Sequence, residues 1–168
     1  MKVGIMGTHG VGKTGFALRM AADMKRGHPG EQVGLVTETA RKCPFPVNQD
    51  TSVEAQLWIY HTQFAAEIEA TALNEILICD RTVLDAVVYT EVAGFRGLRA
   101  EMLPGAISWM GTYDELYWIR PGMDPIGADR FRDTDPEYQK KVDAVFSRWI
   151  KQHKIPVAQC IFGEKGNR

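Results

Sequence analysis

Gly7-Thr8-His9-Gly10-Val11-Gly12-Lys13-Thr14 is the stretch that decides the fold. It satisfies the spacing G-x-x-x-x-G-K-[ST]. A short apolar run, Val3 to Met6, precedes it, and Phe16-Ala-Leu-Arg-Met-Ala-Ala22, which reads as helix, follows. Strand, glycine-rich loop and helix form the context in which this spacing cradles phosphate. Gly7 and Gly12 permit backbone angles and close approaches that a Cβ forbids. Successive N–H groups and the positive end of the next helix then face a polyphosphate. The pattern predicts binding of a nucleoside triphosphate by Gly7, Thr8, His9, Gly10, Val11, Gly12, Lys13, Thr14 and Gly15. In that role Lys13 reaches the β- and γ-phosphates and the Thr14 hydroxyl meets Mg²⁺.

Outward from the loop, the chain of 168 residues is long enough for one domain with a sizeable core. Its 45% apolar and 24% charged residues are ordinary for a water-soluble fold, and a net charge of −1 gives no footprint for duplex nucleic acid. No apolar stretch approaches a membrane span. The opening MKVGIMG reads as a core strand, which leaves no room for a signal peptide. With three cysteines, and Cys79 and Cys160 in apolar runs, the expectation is buried thiols in a reducing cytoplasm.

Apolar runs at 2–6, 32–37, 76–79, 115–119 and 155–161 read as strands. Helical patterns cover roughly 13–25, 51–73, 82–93, 98–110 and 135–152. That alternation predicts an α/β three-layer sandwich, a five-stranded parallel sheet with helices on both faces. One domain spans 1–168, with a candidate lid at about 121–135.

Ligands in open α/β sheets bind beyond the carboxyl ends of the strands. The second strand ends Val36-Thr-Glu-Thr-Ala-Arg41, which puts Glu38 and Arg41 at the crevice of the phosphate loop. A carboxylate there can take or orient the proton of an attacking hydroxyl, and a guanidinium can hold a polar group. A plain surface ion pair is the rival reading. The third strand, Ile76-Leu-Ile-Cys-Asp80, ends in an acid. Asp80 is expected to share Mg²⁺ with Thr14, the alternative being a helix cap, a task for which Thr82 and Asp85 stand closer. Arg81 is placed to meet substrate.

Thr51-Ser-Val-Glu54 has capping-box spacing for the long helix that follows. Leu57, Phe64 and Ile68 make one apolar stripe; Gln56, Tyr60 and Gln63 align on another face, suited to a base or ring. The segment Arg120 to Pro136 is rich in glycine and proline and then charged. Arg130 and Arg132 are its candidate lid residues, set to neutralise a transferring phosphoryl group, against the rival of a solvated turn in which they pair with Asp129, Asp133 and Asp135. His9, His28, His61 and His153 share no spacing and read as packing or solvent residues, with His9 inside the loop.

Taken together these residues resemble the small P-loop kinases of nucleosides and nucleotides, above all the nicotinamide riboside kinase-like branch of the AAA-type ATPases. That family's Glu-x-Ala-Arg is matched by Glu38-Thr-Ala-Arg41, its strand-end acid by Ile78-Cys-Asp80, and its lid Asp-x-x-Arg-Asp by Asp129-Arg-Phe-Arg132-Asp133. Asp80-Arg81-Thr82 looks more like deoxynucleoside and thymidylate kinases. The likeness spans about 1–150. It implies Mg²⁺- and ATP-dependent phosphoryl transfer to a hydroxyl of a nucleoside-like small molecule. By this likeness Glu38 is the base or the acceptor-orienting acid, Lys13, Arg130 and Arg132 stabilise the phosphoryl group, and Arg81 contacts substrate. Three alternatives stand beside it: a nucleoside monophosphate kinase, a kinase of a hydroxyl on modified DNA or a polynucleotide end (less favoured by the charge), and a regulatory ATPase using the loop 94–111 with exposed Trp109 or Trp118 for a partner. Oligomeric state and the choice of ATP over GTP are not legible.

Overall fold

Alternation of period two along the strands sorts the core into two layers. On β1 (Lys2–Met6) and β3 (Ile76–Asp80), Val3, Ile5, Ile76 and Ile78 face one side of the sheet, and Met6, Leu77 and Cys79 face the other. Both strands are buried along their whole length, as parallel strands covered on two faces must be. The computed structural model of the chain describes residues 1–122 and 135–161, of which 159–161 by backbone alone.

After β1 come α1 (Lys13–Gly27), β2 (Val33–Val36) and two 3₁₀ turns, Thr39–Lys42 and Asn48–Asp50. They lead into α2 (Val53–Leu73), β3, α3 (Val83–Val92) and α4 (Arg96–Met110). Last are β4 (Glu115–Arg120), α5 (Pro136–Gln152) and β5 (Ala158–Ile161). The body of the sheet is β2-β3-β1-β4, all parallel, and the short β5 lies parallel to β4 at the edge. Helix α1 covers the Val3/Ile5 face with Ala17, Met20 and Met24. Helices α2 to α5 cover the other, where Phe146, Leu84, Val87 and Trp118 are buried. Fully burying a side chain such as Leu84, Val87 or Phe146 contributes about 1.5–3 kcal/mol.

The predicted α/β alternation is observed, but α2 turns a different face inward. Its buried residues are Ala55, Gln56, Ile59, Tyr60, Gln63 and Glu67, whereas Ile68 on the predicted apolar stripe is 57% exposed. Polar side chains go inward because a buried lysine and the ends of β2 and β3 supply them with partners, so burial costs them little. The cap also shifts by one residue. Ser52, not Thr51, accepts from Ala55 N–H, while Thr51 closes the preceding 3₁₀ turn. Residues 96–110, read in part as a loop for partners, form α4, and Trp118 is 2% exposed inside the core. Trp109 packs against Phe64 and is half-buried. No helix among the described residues is long and apolar enough to cross a membrane. The candidate lid, with Asp129, Arg130, Arg132 and Asp133, lies outside the described residues, as do the Cys160 side chain and the tail from 162.

Candidate active site

The loop between β1 and α1 needs glycine at two points. Gly7 has φ +139°, and a Cβ there would fall 2.2 Å from the Ile119 carbonyl oxygen. Gly12, at φ +83°, caps α1 in the left-handed region that L side chains rarely adopt. The loop thereby curls over the first turn of α1, and His9 to Gly15 line a cleft with about 970 Å³ of free space, part of it open to solvent. Gly7 and Thr8 stand behind this wall and brace it through their carbonyls. Gly7 O accepts from Arg81 Nη1 at 3.5 Å and Thr8 O from Lys13 Nζ at 2.5 Å.

Lys13 is 5% exposed. Burial, and after it the nearby Arg81 guanidinium, push its ammonium down to about 7. Thr14 Oγ1 donates to Asp80 Oδ2 at 2.7 Å. The other oxygen, Asp80 Oδ1, is buried with no hydrogen-bond partner. Such an orphaned carboxylate oxygen beside a threonine hydroxyl has the donor set of a hard divalent cation. No cluster of three or more His, Cys, Asp or Glu able to hold a metal occurs among the described residues. A Mg²⁺ ion would therefore rely on Thr14, Asp80, phosphate oxygens and water, its usual arrangement. The capping alternative for Asp80 falls away. Thr82 caps α3, and Asp85 Oδ2 accepts from both the Thr82 N–H and its hydroxyl at 2.9 Å.

Opposite the loop stands a chain of ion pairs. Glu38 Oε2 accepts from Arg41 Nε at 2.9 Å and its Oε1 from Arg81 Nε at 2.7 Å; Arg81 Nη1 donates onward to Asp85 Oδ1 at 3.1 Å. Glu38 is thus more than a surface partner of Arg41. Burial works against its charge, but Arg81 and then Lys13 hold its carboxyl down to about 2. A carboxylate so acidic is a poor proton acceptor and a good hydrogen-bond acceptor, which favours orienting a hydroxyl over deprotonating it. For Asp85 burial outweighs Arg81, and its carboxyl sits above the usual range.

Of the three aligned residues on α2, the structure brings Gln56 and Gln63 to the cleft wall and takes Tyr60 away. Tyr60 OH donates to the Met102 carbonyl at 2.8 Å inside the α2–α4 contact. The reason is geometric: the inward face of α2 meets the cleft only near Gln56, Ile59 and Gln63, and Tyr60 points at α4. Sequence reasoning missed Tyr89, Gln139, Thr39 and Asp85 as site residues. Tyr89 OH accepts from the His9 N–H at 3.0 Å, and its ring lies 5.4 Å from the Arg81 guanidinium. Gln139 Nε2 donates to the His9 carbonyl at 2.8 Å, and Tyr138 stacks on the His9 ring. His9 is therefore 4% exposed and clamps the loop to α3 and α5. No local motif marks Tyr89 or Gln139, since each matters only through the fold.

A family model described as an AAA domain matches residues 2–167. Among curated proteins nothing matches. Among solved structures the chain is similar to deoxyadenosine kinase from M. mycoides with products dCMP and dCDP bound, at 14% identity and TM-score 0.65, covering 99% of this chain and 92% of that one. It is similar to thymidylate kinase from Ehrlichia chaffeensis at 16% identity and TM-score 0.72, covering 99% and 89%. The NadR protein in complex with NR aligns at 14% identity and TM-score 0.70, over 99% of this chain and 46% of that one. At these identities the likeness establishes a shared P-loop kinase fold.

Proposed function

We infer, from the premise that this chain belongs to the AAA domain family whose model spans residues 2–167, that it transfers the γ-phosphoryl group of Mg·ATP to a hydroxyl of a nucleoside-like small molecule. One observation carries the reading. A phosphate cradle and a carboxylate–guanidinium pair face each other across a single cleft, so a donor and an acceptor can be held in one place. Deoxyadenosine kinase and thymidylate kinase share the fold and support the reading.

The chain's own residues have simple tasks, because phosphoryl transfer asks for alignment and charge stabilisation more than covalent help. Loop N–H groups and Lys13 hold the phosphates. Thr14 and Asp80 would hold Mg²⁺, which supplies neutralisation of charge on the phosphate oxygens. Glu38 orients the acceptor hydroxyl, and Arg81 fixes Glu38 while facing the cleft. Arg130 and Arg132, by the family likeness, close over the transferring group, and the segment 121–135 is their lid. Both described arginines of the acceptor side are already committed to carboxylates, Arg41 to Glu38 and Arg81 to Glu38 and Asp85. An acceptor phosphate would have to break those pairs, and a neutral hydroxyl would not, which favours a nucleoside over a nucleoside monophosphate. A single 168-residue domain working in the cytoplasm fits this role.

The test is ADP release from Mg·ATP across a panel of nucleosides, nicotinamide riboside, nucleoside monophosphates and hydroxymethyl-bearing DNA oligonucleotides. One neutral acceptor should raise turnover well above the ATP-only rate. Glu38→Gln should leave Mg·ATP affinity within about twofold and cut acceptor-stimulated turnover on the order of 100-fold. A flat panel with slow basal hydrolysis would replace this reading with the regulatory ATPase.

A further inference from the structure

Arg81 carries the acceptor side of the cleft on a backbone that resists its own conformation. Its φ is +101°, well beyond the left-handed values of Asn48 and Lys154, the other described non-glycine residues with positive φ. An arginine stays there only when its surroundings over-determine it. The N–H of Arg81 donates to the Ile5 carbonyl at 3.0 Å, and the next N–H, of Thr82, donates to Asp85 Oδ2 at 2.9 Å. The peptide plane between Arg81 and Thr82 is therefore pulled from one side by Asp85. On the other side the Arg81 carbonyl accepts from Gln63 Nε2 at 3.1 Å.

Gln63 is 1% exposed, and its amide has no freedom left. Nε2 gives its second hydrogen to Glu67 Oε1 at 2.8 Å, and Oε1 accepts from Thr39 Oγ1 at 3.0 Å. A carbonyl and a carboxylate oxygen only accept, so the NH₂ end must face them and the amide orientation is settled by chemistry. Thr39 directly follows Glu38 in the chain. One amide thus ties the backbone of Arg81 and the neighbour of Glu38 to the same turn of α2. Glu67, fully buried, is in turn held by Lys2 at 2.7 Å, by Tyr113 OH at 2.8 Å and by the half-buried Trp109 through Nε1 at 2.8 Å.

We propose that Gln63 is a positioning residue rather than an acceptor contact: with Glu67 behind it, it holds Arg81 in its strained conformation and so sets the Glu38–Arg81 pair at the cleft. The proposal rests on the reading that this pair faces the acceptor, and it redirects the base-binding role expected for Gln63 from its spacing. Only the tertiary contacts carry it, because Thr39 and Arg81 reach Gln63, and Lys2 reaches Glu67 behind it, from three separate strands or their ends.

The test is a stability cycle and a kinetic split on the full chain. Gln63→Leu should lower the Tm of the otherwise native protein by about 5 °C. In an Arg81→Gly background, where the backbone adopts positive φ freely, the same substitution should cost less than half as much. Gln63→Met repeats the cycle if Gln63→Leu does not accumulate as folded protein. In the kinetic arm, Gln63→Leu should lower kcat for the acceptor found in the panel by about 10- to 100-fold and leave Mg·ATP affinity within twofold. Equal Tm losses in the two backgrounds overturn the proposal, as does an acceptor KM that rises with kcat preserved, the mark of direct contact. If no acceptor stimulates the wild type, the kinase reading fails, and the stability cycle still decides the role of Gln63.

Discussion

Lys13 shows at the scale of one residue how the glycine-rich loop is poised. Its ammonium is buried and folded back on the Thr8 carbonyl, with burial and Arg81 lowering it from 10.5 to about 7. Between those two values the unfolded chain holds a proton that the folded chain has released. The group's cost to folding is therefore full below pH 7 and is relieved as pH rises toward 10.5. A bound polyphosphate restores the charged form. Mg·ATP binding at about pH 8.5 should then take up close to one proton per site, and almost none at about pH 6. Calorimetry in buffers of different ionisation enthalpy reads this directly, and a binding enthalpy indifferent to buffer at the higher pH would refute it. Glu38 behaves oppositely: held down to about 2, it lends stability that is complete above its ordinary value of 4.5 and is lost as pH falls through 2.

At the scale of an element, α2 divides its labour along one face. Gln56 and Gln63 line the cleft, whereas Tyr60, one position from Ile59 on the same buried surface, packs into the contact with α4. Tyr60→Phe should leave Mg·ATP affinity and acceptor KM unchanged and cost roughly 1 kcal/mol of unfolding free energy, the worth of one hydrogen bond with its buried acceptor left behind. Denaturant unfolding alongside kinetics separates the two; a raised acceptor KM would return Tyr60 to the site. The periodicity of α2 was legible in the sequence, yet which stripe faces inward was not. Leu57, Phe64 and Ile68 follow the apolar rule, but a partner set from β1, β3 and the first 3₁₀ turn makes the amide stripe the cheaper one to bury.

Across the whole molecule, the Lys2–Glu67 pair joins the start of β1 to the back of the site at 2.7 Å, with Glu67 fully buried and Lys2 stacked 4.2 Å from the Tyr113 ring centre. Glu67→Leu should destabilise by about 3–5 kcal/mol, since it strands a buried ammonium, and should cost less in a Lys2→Met background where no ammonium remains. Urea unfolding of the four proteins checks this; identical costs in both backgrounds would show the two charges to be uncoupled. The sequence by itself determined the α/β alternation, the phosphate loop and the strand-end Asp80, because each is a local pattern whose chemistry acts within a few residues of chain. The sequence likewise put Glu38 and Arg81 at strand ends, where a parallel sheet gathers its ligands. Only the tertiary structure decided that these two form one ion pair, that Tyr89 and Gln139 hold His9, and that Gln63 braces Arg81. Those roles depend on which distant segments meet, and burial makes each meeting strong by removing the water that would otherwise compete for the same polar atoms.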